Sequence, residues 1–235
     1  IWLSAAAWEG APLDYFRELL FKQNVDRFTG RDDFGKPGPF WFYAAHFPLG
    51  FLPWTLFLPA ALACWPKDDA HRLLRRRLLA WLLFVLGFFT LASGKRSLYI
   101  LLAMPAASLL TAAGLDAVLA ADRGWRRLTH DLAFGFFALL GVGGLTAVPF
   151  VAPLIPFWVL LPTAGVALTA AIVLWQLRRH PELPGLWWRT VTGGTFAVYL
   201  TLGALVMPAL NPYKTPVAVV PAIQAVVPAD GFMIL

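Results

Sequence analysis

Two adjacent cations, Lys95 and Arg96, sit in the short turn Ser93-Gly94-Lys95-Arg96-Ser97 between apolar runs. An ammonium and a guanidinium flanked by hydroxyls, with the N–H groups of a following helix start, make a donor set suited to a phosphate. Tyr99, one helical turn beyond Lys95, can bring a phenolic hydroxyl to the same place. Snorkelling of the two long side chains into anionic lipid headgroups is a second, less specific reading of the same residues. The location of the turn bears on the choice, and that depends on the elements around it.

Those elements read as membrane helices. Hydrophobic residues make up 59% of the chain and charged residues only 14%, far from the mix of a soluble domain. A helical span needs roughly 20 mostly apolar residues, and candidate stretches run at approximately 39–65, 78–93, 98–115, 132–151, 155–177 and 190–210. The expected fold class is therefore all-α and integral to a membrane, a polytopic transmembrane helix bundle of about six spans.

Charge then orients the bundle. Lys67, Arg72, Arg75, Arg76 and Arg77 fall in the linker 66–77, Arg123, Arg126 and Arg127 in 122–131, and Arg178, Arg179 and Arg189 in 178–189. By the positive-inside rule these linkers are cytoplasmic. Consecutive crossings place residues 1–38, the 93–97 turn, the uncharged 149–156 link and the tail from 211 on the other face. Lys95 and Arg96 thus run against the charge pattern. The span before them, 78–93, rises only about 24 Å at 1.5 Å per residue, which would bring the turn to the phosphate layer.

Three regions are expected: an extracytoplasmic juxtamembrane helix and loop at 1–38, the six-span bundle at 39–210, and the start of an extracytoplasmic C-terminal segment at 211–235. In the first, Pro12 opens a helix that puts Leu13, Phe16 and Leu20 on one stripe, too short to span and suited to the interface. The aromatics of Pro39-Phe40-Trp41-Phe42-Tyr43 suit the headgroup level. Residues 1–8 read as the exit of an earlier span and 229–235 as the first residues of a strand, so the chain is expected to be the membrane portion of a longer protein.

Several chemistries are disfavoured. Cys64 is the single cysteine, so neither an intramolecular disulfide nor a thiolate metal site is available. The net charge of +6 and pI near 9.8 are accounted for by the inner linkers, so no nucleic-acid partner is expected. His46 reads as a packed, hydrogen-bonded helix residue rather than a ligand. Pro48, Pro53 and Pro59 should kink or break the first span, with Pro59 read as a bend in a packing helix. A transporter or flippase for an anionic lipid or solute is the alternative function. It would place ionisable groups near the midplane, whereas here the span interiors are apolar apart from His46 and the cations collect at the outer edge.

Several blocks in order carry a resemblance: Gln23-Asn24-Val25-Asp26-Arg27-Phe28, Gly38-Pro39-Phe40-Trp41-Phe42-Tyr43, Gly50-Phe51-Leu52-Pro53-Trp54-Thr55, and Ser93-Gly94-Lys95-Arg96-Ser97-Leu98-Tyr99 with Met104-Pro105-Ala106. Together they resemble the polyprenyl-phosphate-sugar glycosyltransferases of the aminoarabinose transferase and protein mannosyltransferase type, membrane enzymes of the GT-C class. The resemblance is best over 22–115. Later spans share only hydropathy and the Asn211-Pro212-Tyr213-Lys214 exit motif.

The resemblance implies transfer of a sugar from a polyprenyl-phosphate-linked donor to a glycolipid (lipid A-like) or protein acceptor. It also implies a multi-pass protein of the bacterial inner membrane, surrounded by membrane lipids and acting at its periplasmic face. Arg27, Lys95, Arg96 and Tyr99 become the candidates for the lipid phosphate, with Asn24 and Lys36 secondary. The general base of such enzymes is an acidic residue in the first outer loop, upstream of this sequence, so no catalytic residue is assigned. Where relatives carry Glu-His or Glu-Asn, this chain has Gln23-Asn24, and Phe34-Gly35-Lys36 stands where a His can precede the Pro-Phe-Trp block. These residues give no support to a divalent metal site.

Overall fold

The computed structural model describes Trp8, Gly10 and residues 12–18, 38–120, 123–151 and 155–214, and among these residues there is no β-strand. The elements are α1 (Leu13–Arg17), α2 (Phe42–Gly50), a 3-10 turn (Trp54–Leu56), α3 (Leu58–Ala63), α4 (Asp69–Leu91), a 3-10 segment (Ser97–Leu102) and α5 (Met104–Ala120). They continue with α6 (Arg123–Val151), a 3-10 turn (Phe157–Val159), α7 (Leu161–Leu177), α8 (Pro184–Thr201), a π-helical turn (Leu202–Val206) and α9 (Met207–Lys214). The chain divides into two compact units, Ile1–Asp122 and Arg123–Leu235.

In the first unit the expected span at 39–65 is broken. Past Gly50 the Leu52 N–H donates to Leu49 O at 3.4 Å instead of continuing the helical bond to Pro48 O. Thr55 Oγ1 donates to that freed Pro48 carbonyl at 2.8 Å, the side-chain rescue a helix break needs in a membrane. Pro59 does not bend a helix; it occupies the opening turn of α3, where its missing N–H has no intrahelical role.

The next two helices also depart from hydropathy. α4 starts at residue 69 rather than 78, because the Asp68 side chain caps it by accepting from the His71 N–H. The helix has 23 residues, or about 34 Å at 1.5 Å per residue. The linker expected at 66–77 is corrected: Arg72, Arg75, Arg76 and Arg77 extend this helix rather than forming a loop. The expected 98–115 span divides into the 3-10 segment and α5, with Pro105 at the second position of the restarted helix.

Close packing fixes the direction of these pieces. A Cβ on Gly50 would meet Ile100 Cδ1 at 2.8 Å, and one on Gly114 would run into the Ala61 carbonyl. Contacts that rise together along both segments mean that α2–α3 and 97–120 run parallel, with α4 the return between them. Tyr43, Phe47, Leu82, Val85, Ile100 and Leu110 bury into one cluster there.

The second unit is more regular. A Cβ on Gly141 would meet Leu168 Cγ at 2.5 Å and one on Gly144 would meet Ala164 Cβ at 3.4 Å, so α6 and α7 are antiparallel. Gly194 against Ala170, and Thr163 Oγ1 donating to Thr201 Oγ1 at 2.9 Å, give the same sense for α7 and α8. Small residues bring the backbones together where lipid supplies no hydrophobic drive. The outward faces stay apolar and exposed, as at Leu139, Phe150 and Phe196.

Gly124–Val151, Phe157–Leu177 and Pro184–Pro212 are long and apolar enough to cross a membrane, and Met104–Ala120 is a shorter apolar helix. They match the expectations at 132–151, 155–177 and 190–210, but α6 begins inside the linker expected at 122–131. α1 coincides with the core of the expected interfacial helix, whereas the loop that follows it and the strand expected at 229–235 lie outside the described residues.

Candidate functional site

The candidate site is the turn joining α4 to the 3-10 segment. α4 ends at Leu91, and its last carbonyls need partners. Ala92 N–H donates to Phe88 O at 3.3 Å, and Lys95 Nζ donates to Phe89 O at 3.2 Å and to Thr90 O. A cation at a helix C-terminus also matches the negative end of its dipole. Lys95 is only 8% exposed, its Nζ lies 5.6 Å from the Tyr43 ring centroid, and burial pushes its pKa below the ordinary value.

Arg96 faces the other way. Its backbone is extended at φ −138°, ψ 131°, and its side chain is exposed while that of Lys95 is buried. Among the described residues no carboxylate pairs with either cation. Ser93 and Ser97 are exposed beside Arg96. The two cations therefore do not meet in one cradle: Lys95 organises the turn from within, and Arg96 with the serines forms its open face.

Tyr43 locks this arrangement and was not among the expected site residues. Its hydroxyl donates to Arg96 O and accepts from the Arg96 N–H, both at 3.2 Å, and its ring is 1% exposed. The Pro-Phe-Trp-Phe-Tyr aromatics thus divide: Phe40 and Trp41 are exposed, and Tyr43 is a buried clamp rather than a headgroup anchor. A signal was present in its spacing: Tyr43 lies two residues past the exposed Trp41, about 200° around a helix. Gly38 completes the contact, since a Cβ there would lie 2.6 Å from Lys95 Cγ.

Tyr99 stacks on Phe89, with ring centroids 4.5 Å apart and planes at 25°, and is half-buried. Among the described residues its hydroxyl makes no hydrogen bond. Arg27, Asn24 and Lys36 lie outside the described residues. His46 Nδ1 is 2.8 Å from Phe42 O and its ring stacks on Phe42 at 3.8 Å, so it is hydrogen-bonded as expected, but it is exposed rather than packed. Among the described residues no three His, Cys, Asp or Glu side chains come together to hold a metal.

The fold and this turn define a polytopic helical membrane protein with an exposed guanidinium and hydroxyls on a buried, lysine-capped helix end. The chain is similar in part to known transferases. The chain is 34% identical over 149 residues to the undecaprenyl phosphate-alpha-4-amino-4-deoxy-L-arabinose arabinosyl transferase of Pectobacterium carotovorum subsp. carotovorum, covering 60% of this chain and 26% of the relative. It is 35% identical over 116 residues to the second such transferase of Proteus mirabilis, covering 49% and 20%, and 38% identical over 100 residues to that of Yersinia enterocolitica, covering 43% and 18%. The matches thus span about a quarter or less of the curated relatives' length. No family model matches the chain, and no solved structure does.

Proposed function

We propose that this chain belongs to a membrane glycosyltransferase that moves a sugar, 4-amino-4-deoxy-L-arabinose by the names of its relatives, from an undecaprenyl-phosphate carrier to a glycolipid or protein acceptor. The observation that carries the reading is the meeting of two separated sequence blocks. Gly38 and Tyr43 pack on Lys95 and Arg96, and one exposed guanidinium is held out between two serines.

The chemistry follows from the leaving group. As the glycosidic bond breaks, negative charge grows on the carrier phosphate, and a cation already fixed beside it lowers the barrier most where water is scarce. Arg96 would make that contact, with Ser93 and Ser97 as further donors; their exposure supports this reading. Lys95 acts through it, holding the end of α4. Arg27, Asn24 and Lys36 would add to the same face, and Tyr99 offers an uncommitted hydroxyl one turn on. The working face is the periplasmic side of the bacterial inner membrane, as the cationic linkers at 66–77, 122–131 and 178–189 argue.

The test uses purified full-length protein in detergent, where no compartments exist and transport cannot be scored. Turnover of undecaprenyl-phosphate-linked aminoarabinose with a lipid A acceptor is expected. Monodisperse, lipid-supplemented protein that leaves this and other polyprenyl-phosphate sugars untouched, with glycolipid and protein acceptors alike, would sink the reading.

A further inference from the structure

At the end of the second unit where α6 begins and α7 finishes, a cavity of about 270 Å³ is lined by Arg126, Arg127, His130, Arg178 and Pro181. Arg178 is paired with Asp131 at 3.0 Å. Among the described residues, no carboxylate pairs with Arg126 or Arg127, which lie in the opening turns of α6, where the helix dipole already adds positive charge. His130 is 7% exposed, and its buried Nδ1 has no hydrogen-bond partner among the described residues. A buried polar nitrogen without a partner is costly, and two uncompensated guanidiniums beside it call for negative charge. A ligand with several acceptor oxygens on a phosphate answers both.

The neighbouring surface says what carries the phosphate. Across the Arg178–Leu183 link lies a second cavity of about 350 Å³, lined mainly by apolar side chains including Val173, Trp175, Leu177, Leu183 and Leu186. Arg179 lies over the Trp175 ring at 5.1 Å, and Trp125 and Trp175 are exposed at this end, as aromatics are at a headgroup layer. A free phosphate would use only the first cavity; a lipid would use both.

We infer that this end of the second unit holds an anionic phospholipid, its phosphodiester among Arg126, Arg127, His130 and Arg178 and an acyl chain along Trp175, Leu183 and Leu186. The site belongs to the face that the charge pattern assigns to the cytoplasm and does not depend on the proposed sugar transfer. Its role is to seat the bundle in an anionic leaflet.

Native mass spectrometry of the full-length protein from mixed micelles tests this with phosphatidylglycerol and phosphatidylcholine as probes. Retention of phosphatidylglycerol but not phosphatidylcholine is expected, falling about a hundred-fold in the double variant Arg126→Gln, Arg127→Gln, which corresponds to losing two charge-assisted contacts. Equal retention of the two lipids overturns the proposal, as does undiminished retention by a variant with an unchanged melting temperature. Where the variant fails to fold, wild-type protein decides: a photoreactive acyl chain on phosphatidylglycerol should crosslink within 173–186, and crosslinks confined elsewhere overturn it. Millimolar inorganic phosphate should leave the lipid in place; complete displacement would reassign the cavity to a soluble phosphate ligand.

Discussion

The two units meet the demands of a membrane in opposite ways. In the second, α6 and α7 are uninterrupted α-helices, and Gly141, Gly144 and Gly194 let neighbours approach closely. In the first, the backbone stops at 51–53 and again at 92–103, and side chains from other segments satisfy what is left open: Thr55 on Pro48 O, Lys95 on Phe89 O and Thr90 O, Tyr43 on both polar groups of Arg96. Irregular backbone in a helical membrane protein needs partners from protein or water, so interruptions mark where ligands can reach polar groups. Regular helices hold a protein in the bilayer; interrupted ones make its sites.

The sharpest way to break this comparison is to add one methyl group to each unit. Alanine favours a helix over glycine by about 1 kcal/mol where the methyl meets nothing. Gly143→Ala in the second unit meets nothing and should be neutral or slightly stabilising. Gly114→Ala drives its methyl into the Ala61 carbonyl, which cannot rotate away, and should cost on the order of 3 kcal/mol. Thermal unfolding in detergent reads both. Equal stability of the two variants would mean that α3 and α5 do not pack as described.

The same contrast explains what was legible beforehand. In the second unit hydropathy located the three long helices, because their apolar content and their helical content nearly coincide. It failed at helix starts, where cation-rich turns are still helical: α4 begins at its Asp68 cap and α6 at Arg123, each inside an expected loop. The cap was readable, since Asp68 as N-cap followed by the acidic Asp69 in the first turn is an N-terminal signature. In the first unit the prolines announced a break, but Thr55 as its remedy is a matter of three-dimensional reach. At the site, Lys95 and Arg96 were conspicuous by charge, whereas their division into buried cap and exposed contact, and the Tyr43 clamp, depend on segments far apart in sequence.

That division sets the next prediction. In the full-length protein, Arg96→Ala should lower use of the phospho-lipid donor about ten-fold to a hundred-fold, the equivalent of roughly 1.5 to 3 kcal/mol for a charge-assisted bond to phosphate, and leave the melting temperature unchanged. Lys95→Ala should lower donor use and melting temperature together, because it uncaps α4 as well. Loss of stability in Arg96→Ala, or a fully stable Lys95→Ala, would erase the distinction between contact and organiser.

The smallest effects test whether hydroxyls do different work in the two units. Thr55 donates at 2.8 Å to a carbonyl that the broken helix has left without its backbone partner, so Thr55→Val strands a polar group in a low-dielectric place. A loss of about 1 to 2 kcal/mol is expected. Thr163 donates at 2.9 Å to Thr201 Oγ1, which itself donates to Ala197 O at 3.0 Å within its own helix. Thr163→Val therefore removes one bond and leaves no backbone group open, and the expected loss is about 0.5 kcal/mol, near the average for interhelical hydrogen bonds in membranes. Both variants keep the β-branched shape, so the comparison isolates the hydroxyl. If Thr163→Val proved as costly as Thr55→Val, hydrogen bonding would matter equally in regular and interrupted helices, and the broken backbone of the first unit would lose its special standing.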